Sequence, residues 1–522
     1  LIKKNKGTSQ KSKLPIPIID LFAGPGGLGE GFTSVTDEGG NRVFRIALSI
    51  EKNEYAHKTL TLRSFLRQFP INKFPKEYYQ FLQGKVTIEK LYECYPEQAE
   101  CAGKEAWKFE LGDPEKHEYI DKRIRESLRG ADNCILIGGP PCQAYSLVGR
   151  ARRQEKDGLN KEDERVYLYR EYYRILALHQ PSIFVMENVK GLLSSKVDNE
   201  LIFKQLLEDL TNPVESYRKL HGRKKLPKSR YVCRIFSLVK RPHQKNFFEE
   251  GLDPSDFIVR TEEYGIPQTR HRVIILGIRE DINVTPDLLA PLEREVNISD
   301  VLGGLPLLRS GLSKEEDGRE EWKQALNAIR ITGLRSQVNK EIWAEMIRSI
   351  ERIRPSIDRG SEFIRTEVTI SKYKTWYLDK KIKGVINHET RSHIRNDLWR
   401  YLFVSCFGKV NRRSPRLDEF PSLLMPDHKN AKSGDFANRF KVQLWDKPSR
   451  TITSHISKDG HYFIHPDPCQ CRSLTVREAA RIQTFPDNYY FCGPRTEQFH
   501  QVGNAVPPLL AYQIAKVIKE IF

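Results

Sequence analysis

Short, unbroken apolar runs punctuate the first half of the chain. Ile16-Pro17-Ile18-Ile19-Asp20-Leu21-Phe22 is the first and Val43 to Glu51 the second. Further runs stand at Cys134–Ile137, Ile183–Met186, Val232–Val239 and Val273–Ile278. Runs of this length predict strands buried on both faces. Helical stretches lie between several of them, notably 164–179 and 198–210. Alternating strands and helices, with the glycine turn Gly24-Pro25-Gly26-Gly27-Leu28-Gly29 after the first strand, predict an α/β fold: a doubly wound, Rossmann-like sheet with helices on both faces.

The alternation is interrupted twice. Residues 54–110 are rich in Tyr, Phe, Lys and Glu and read as a helical insertion. From 285 to 472 the strand–helix pattern fades and Trp, Arg, His and Asn scatter, which predicts a smaller, irregular second domain. Clean amphipathic helices return at 474–482 and 508–521, so residues 473–522 are expected to complete the first domain, residues 16–284. Residues 1–15 read as a flexible basic tail, with five lysines and no acid before position 14.

Charge narrows the partner. The 522 residues carry a net charge of +18, which suits a polyanion, nucleic acid first. No apolar run is long enough to span a membrane, so no membrane partner is expected. The nine cysteines are an odd number in a long chain and form no disulfide framework, which points to a reducing cytoplasm. Cys469-Gln470-Cys471, with His455, His461 and His465 nearby, matches no standard zinc spacing; these read as structural residues, and no metal is expected.

Candidate chemistry gathers at the strand ends. Gly24-x-Gly26-x-x-Gly29 lets backbone approach a ligand, and Glu51 at the end of the second strand can accept from a ribose hydroxyl pair. Together they suit an adenosine cofactor, NAD included. Asp20 lies where a cofactor's charged moiety would sit. Asp113, in Leu111-Gly112-Asp113-Pro114, could end a third strand and accept from an adenine amino group. For both, a cap or turn role is nearly as good a reading.

Pro140-Pro141-Cys142-Gln143 places a thiol where a buried strand ends: a candidate nucleophile, or a small strand-end residue. Glu187-Asn188-Val189 brings a carboxyl to the same edge, able to exchange a proton with a ring nitrogen or to cap the next helix. Gln268-Thr269-Arg270-His271-Arg272 sets two arginines on one side of an extended segment, where they can bind a carbonyl, a carboxylate or a phosphate. Gln501-Val502-Gly503-Asn504-Ala505-Val506-Pro507-Pro508 reads as a tight turn before the last helix, offering donors to a cofactor's polar end.

Read in order, Asp20-Leu21-Phe22-Ala23-Gly24-x-Gly26-Gly27, Pro140-Pro141-Cys142-Gln143, Glu187-Asn188-Val189, Gln268-x-Arg270-x-Arg272, Leu474-Thr475-x-Arg477-Glu478 and Gln501-x-Gly503-Asn504-x-Val506 resemble the DNA cytosine-5 methyltransferases. The resemblance covers residues 16–283 and 446–520, and the gap falls where that family has its target recognition domain. It implies that the Cys142 thiolate attacks C6 of a cytosine flipped out of double-stranded DNA. Glu187 then engages N3 and the exocyclic amine, Arg272 holds the O2 carbonyl, Arg270 supports the site, and C5 takes a methyl group from S-adenosyl-L-methionine.

The same resemblance assigns Phe22, Gly24 and Gly26 to the cofactor loop, with Asp20 and Pro140 beside it. Glu51 falls on the ribose, Asp113 on the adenine, and Asn504 and Val506 on the methionine end. Gln143 and Ser146 fall in a loop that closes over DNA, with Arg150 and Arg152 placed to meet phosphates. Two departures stand out: the long spacing from Glu51 to Asp113, and Tyr145 where the family usually has Phe. The expected setting is the bacterial cytoplasm, as a monomer protecting host DNA beside a restriction endonuclease or an anti-phage complex. Three rivals are a transfer RNA cytosine-5 methyltransferase, which would lack so large a variable domain, a nucleotide-binding oxidoreductase, and a non-catalytic DNA-binding module.

Overall fold

The computed structural model describes residues 14–140, 168–194, 196–197, 200–221, 231–246, 249–426 and 439–522. Its centre is one sheet of eight strands: β1 (Ile16–Leu21), β2 (Phe44–Glu51), β3 (Ala106–Lys108), β4 (Ile135–Gly138), β5 (Ile183–Val189), β6 (Cys233–Phe236), β7 (Ile258–Arg260) and β8 (His271–Arg279). Their order is β7-β8-β5-β4-β1-β2-β3, with β6 also paired to β8. β1 to β5 are parallel, and β8 runs antiparallel to β5, β6 and β7. The chain runs outward from β1 to β2 and β3, then crosses back to β4 on the other side of β1. That reversal opens a crevice at the carboxyl ends of β1 and β4.

Alternate strand residues feed two cores, as the doubly wound reading requires. Ile19, Leu21, Leu136, Phe184, Met186 and Ile275 face helices α6 (His117–Leu128), α7 (Leu168–His179), α8 (Ile202–Thr211) and α9 (Pro213–His221). Ile18, Ile46, Ile137, Val185 and Ile274 face α1 (Gly27–Thr33) and the last helix, whose Leu510 and Ile514 are fully buried.

The stretch 54–110 is helical through α2 (Glu54–Arg67), α3 (Lys76–Leu82), α4 (Ile88–Cys94) and α5 (Pro96–Glu105), but its end supplies edge strand β3. These helices share a core with Ile382, Ile386 and Cys492, so they join the sheet edge to the second region. That region has its own core, where Trp322 of α11 (Arg319–Asn327), Met346 of α12 (Lys340–Glu351) and Tyr401 of α13 (Arg395–Asn411) are buried together; α10 (Ile298–Leu302) belongs to a neighbouring core.

The return of the chain divides differently from the boundary at 473. Helices α14 (Val476–Ile482) and α15 (Arg495–Asn504) share a core with Ile298, Val301, Tyr377 and Val385 of the second region. Only α16 (Pro508–Lys519) lies on the sheet. A capping box in which Thr475 and Glu478 each accept the other's backbone N–H starts α14, and Pro508 opens α16. No described helix is long and apolar enough to cross a membrane.

Candidate active site

Register brings the first pair of site residues together. Arg272 lies opposite Val189 and Ile274 opposite Glu187, so Glu187 and Arg272 are diagonal neighbours on one face of the β5–β8 ladder. Arg272 Nε stands 2.9 Å from Glu187 Oε1, both side chains being about seven-eighths buried, at 14% and 13% exposure. β5 runs on to Val189, so Glu187 lies within the strand rather than beyond it. Burial pushes the Arg272 guanidinium below its ordinary pKa, and Glu187 opposes that shift.

Two neighbours shape this pair. A Cβ on Gly139 would sit 2.9 Å from Glu187 Oε2, so only glycine leaves the carboxylate its place. Asn188 Nδ2 donates to the Pro140 carbonyl (3.4 Å) while its Oδ1 accepts from Val189 N (2.8 Å), tying β5 to the first residue of the Pro140-Pro141-Cys142-Gln143 motif. Neither role was visible in the sequence, where Asn188 stood only as part of the Glu187-Asn188-Val189 motif.

Arg270 does not share the outlook of Arg272. It is fully buried, and its Nη1 donates to the carbonyls of Ile452 (2.8 Å) and Gly503 (3.3 Å). Burial pushes its pKa well down, with Arg272 adding and Glu187 opposing. Gln268 supports the same junction: its Nε2 donates to the Ile482 carbonyl (3.2 Å) and its Oε1 accepts from Ile452 N (3.0 Å). The two arginines therefore diverge, because Arg270 precedes β8 and is claimed by backbone from the second region.

The glycine loop lies in the crevice. Phe22 adopts φ 56°, a left-handed conformation that side chains rarely take, and Gly24 and Gly26 follow at φ 58° and 94°. Glu51 closes the loop from β2: its Oε2 accepts from Gly24 N (2.8 Å) and its Oε1 from Asn53 N (2.7 Å). Nothing lies within 4 Å of the place a Gly24 Cβ would take, so that backbone faces open space. Asp20 is buried beneath the loop with neither carboxylate oxygen hydrogen-bonded. Burial raises its pKa to about 8, Arg67 opposing and Glu51 adding.

The remaining cofactor candidates divide. Val506 is buried, and its carbonyl lies against Gly27, where any Cβ would collide. Asn504 is exposed as the last residue of α15, so Gln501–Asn504 is a helical turn and not the predicted loop. Asp113 does not end a strand, since β3 stops at Lys108. It caps a short 3-10 turn instead, with Oδ1 accepting from Glu115 N (3.0 Å) and Oδ2 2.9 Å from Lys116 Nζ. Glycine and proline at 112 and 114 signalled this turn equally well.

Pro141, Cys142, Gln143, Tyr145, Ser146, Arg150, Arg152 and Arg153 lie outside the described residues. The cysteine–histidine group at 455–471 is committed elsewhere. Cys471 Sγ donates to the Pro468 carbonyl, His465 Nδ1 accepts from Asp467 N, and His461 bonds the Tyr401 hydroxyl.

A family model described as C-5 cytosine-specific DNA methylase matches residues 104–213 and 244–520. The chain belongs to that family. The methylase is 31% identical to the type II methyltransferase M.Bpa9945I of Bacillus paralicheniformis, the match covering 97% of this chain and 98% of that one. It is 25% identical to the type II methyltransferase M.AgeI of Thalassovita gelatinovora, over 96% of this chain and 98% of that one. With the type II methyltransferase M.DdeI of Desulfomicrobium norvegicum the identity is 24%, over 97% and 89%. Membership makes the methylase a DNA cytosine-5 methyltransferase and implies use of S-adenosylmethionine. The matched stretches include Cys142, Glu187, Arg270 and Arg272.

Proposed function

We propose that this enzyme methylates C5 of a cytosine swung out of double-stranded DNA, with Cys142 as the nucleophile at C6. The observation that carries the reading is the Glu187–Arg272 pair at the edge where β4 delivers Gly139 and Pro140. A carboxyl group and a guanidinium side by side match the ring edge of cytosine: Glu187 meets N3 and the exocyclic amine, and Arg272 donates to O2. Both contacts draw electron density from C6 and favour attack by the thiolate, which forms a Cys142–C6 bond and leaves C5 nucleophilic. Loss of the C5 proton and departure of the thiol restore the aromatic ring. Arg270 positions rather than reacts, holding the second region against the strand that carries Arg272.

The orphaned carboxyl of Asp20 and the open backbone at Gly24 fit S-adenosylmethionine, which supplies the electrophilic methyl group. Phe22, Gly24, Gly26 and Pro140 line the place for it, with Glu51 set for the ribose, Asp113 for the adenine, and Asn504 and Val506 for the methionine end. Gln143, Ser146, Arg150 and Arg152 serve as the DNA-facing segment after the nucleophile. The relatives carry type II names, which supports a role in protecting host DNA beside a restriction endonuclease or in an anti-phage system. The test is Cys142→Ser, assayed for methyl transfer to duplex DNA and to transfer RNA. Transfer to DNA by the wild type, its abolition in the variant and unchanged S-adenosylmethionine binding are expected. Full activity of the variant, or transfer only to RNA, overturns the assignment.

A further inference from the structure

The glycine loop is gripped on two sides, and only one of them is Glu51. On the other side stands Tyr489, far away in sequence, whose hydroxyl donates to the buried Pro25 carbonyl. A Cβ on Gly26 would lie 3.2 Å from that hydroxyl and 2.9 Å from Leu60 Cδ1 of α2, so the loop backbone passes directly against both. The Tyr489 ring is fully buried. Phe485 and Phe491 stand 4.7 and 5.4 Å away between centroids, and the Arg63 guanidinium lies 4.4 Å above the ring. Arg63 is itself anchored, its Nε donating to Glu30 Oε2 of α1 (3.2 Å) and its Nη1 to Asn488 Oδ1 (3.2 Å). The ring therefore has one available place, and its hydroxyl has one direction.

The Pro25–Gly26 peptide is held at both ends. Its carbonyl takes the Tyr489 hydroxyl and its N–H donates to the Ala23 carbonyl at 3.0 Å. Gly26, at φ 94°, has no Cβ to bias the rotation of that plane, so these hydrogen bonds set its orientation. We propose that Tyr489 is a positioning residue for the cofactor loop: its hydroxyl fixes the Pro25–Gly26 peptide plane and so presents the loop backbone in the orientation that binds S-adenosylmethionine. The proposal rests on the reading of residues 20–29 as the cofactor site.

A built-in control lies next door. Tyr78 of α3 is also fully buried and donates its hydroxyl to a backbone carbonyl, that of Asn488, but it does not touch the loop. Tyr489→Phe and Tyr78→Phe thus remove the same atom from the same network, and only the first strips the loop. Binding of S-adenosylmethionine to the full chain, followed by calorimetry, is expected to weaken by about five- to tenfold in Tyr489→Phe, the scale of one lost buried hydrogen bond. The KM for S-adenosylmethionine should follow, kcat at saturation should hold, and Tyr78→Phe should bind like the wild type. Thermal melts register any stability loss common to both. Wild-type affinity in Tyr489→Phe, or equal weakening in both variants, overturns the proposal while leaving the cofactor site in place. A wild-type chain that does not bind S-adenosylmethionine overturns the site and the proposal together.

Discussion

Two Arg–Glu pairs in this molecule are chemically alike and differently employed. Arg472 and Glu478, in the second region, are each 1% exposed and bonded at every turn. Arg472 Nη1 and Nη2 each donate to Glu478 at 2.7 Å, Nε donates to the Leu308 carbonyl (3.0 Å), and Glu478 Oε2 also accepts from Thr475 N (2.8 Å). Glu187 and Arg272 meet at 2.9 Å between Oε1 and Nε at the rim of the sheet, and both side chains stay partly exposed, at 13% and 14%. Saturation marks the first pair as scaffold: a buried charge is tolerated only when its bonding capacity is filled. The second pair is less deeply buried and can be reached by a ligand, as the proposed pyrimidine role requires.

Breaking each pair sharpens the contrast. Glu187→Gln keeps the shape and loses the acid–base function, so single-turnover methyl transfer should fall by about a thousandfold, within the usual range for a proton-handling group. Its thermal midpoint should drop less than that of Glu478→Gln. Near-wild-type transfer in Glu187→Gln would return the pair to the scaffold class.

Glu478→Gln should do the opposite. It leaves Arg472 buried without its counter-charge, at a cost of about 3–5 kcal/mol in denaturant unfolding. Methyl transfer per folded molecule should persist well below the melting transition. The pH dependence has a definite sign. Burial is the largest single influence and pushes the Glu478 carboxyl up, but Arg472 by charge and hydrogen bond, with His465 and His388, together hold it well below its ordinary value of 4.5. Its contribution is therefore present above that value and lost only as pH falls through the depressed pKa. Unchanged stability in Glu478→Gln would mean that the saturated bonds contribute little.

The same contrast shows what could be read from residue order. Strand runs, the glycine turn and Glu51 at a strand end are local, so they were legible, whereas the shared site of Glu187 and Arg272 followed only from the family resemblance. The role of Arg270 was not legible, because its partner Ile452 comes from a region with no strand–helix rhythm and its partner Gly503 from a helical turn that read as a loop. Nor was edge strand β3, since Ala106-Trp107-Lys108 is too short to stand out from the helices before it. The motif at 474–478 was visible, but its burial beneath the second region depends on packing against Ile298 and Val301, far away in sequence. Asp113 caps a turn rather than ending a strand, and the sequence left both readings open because a turn and a strand end share the same signal residues.

Asp20 tests the distinction between committed and open groups at a single carboxyl. It is as buried as Glu478, yet neither oxygen has a hydrogen-bond partner. The charged and titratable groups around it are Arg67 of α2, Glu51 of β2 and Tyr172 of α7, and burial outweighs the one cation among them. Its pKa rises from 3.8 to about 8. Between those values the native state keeps a proton that the unfolded chain has released, so rising pH favours unfolding. The stabilising contribution is complete below 3.8 and is lost progressively as pH rises to about 8. The slope is at most about 1.4 kcal/mol per pH unit. Asp20→Asn cannot titrate, so urea unfolding of the free enzyme across that window should show a flatter pH dependence than the wild type. Identical slopes would mean that Asp20 is already ionised and compensated in place, which would move it from the open groups to the committed ones, beside Glu478.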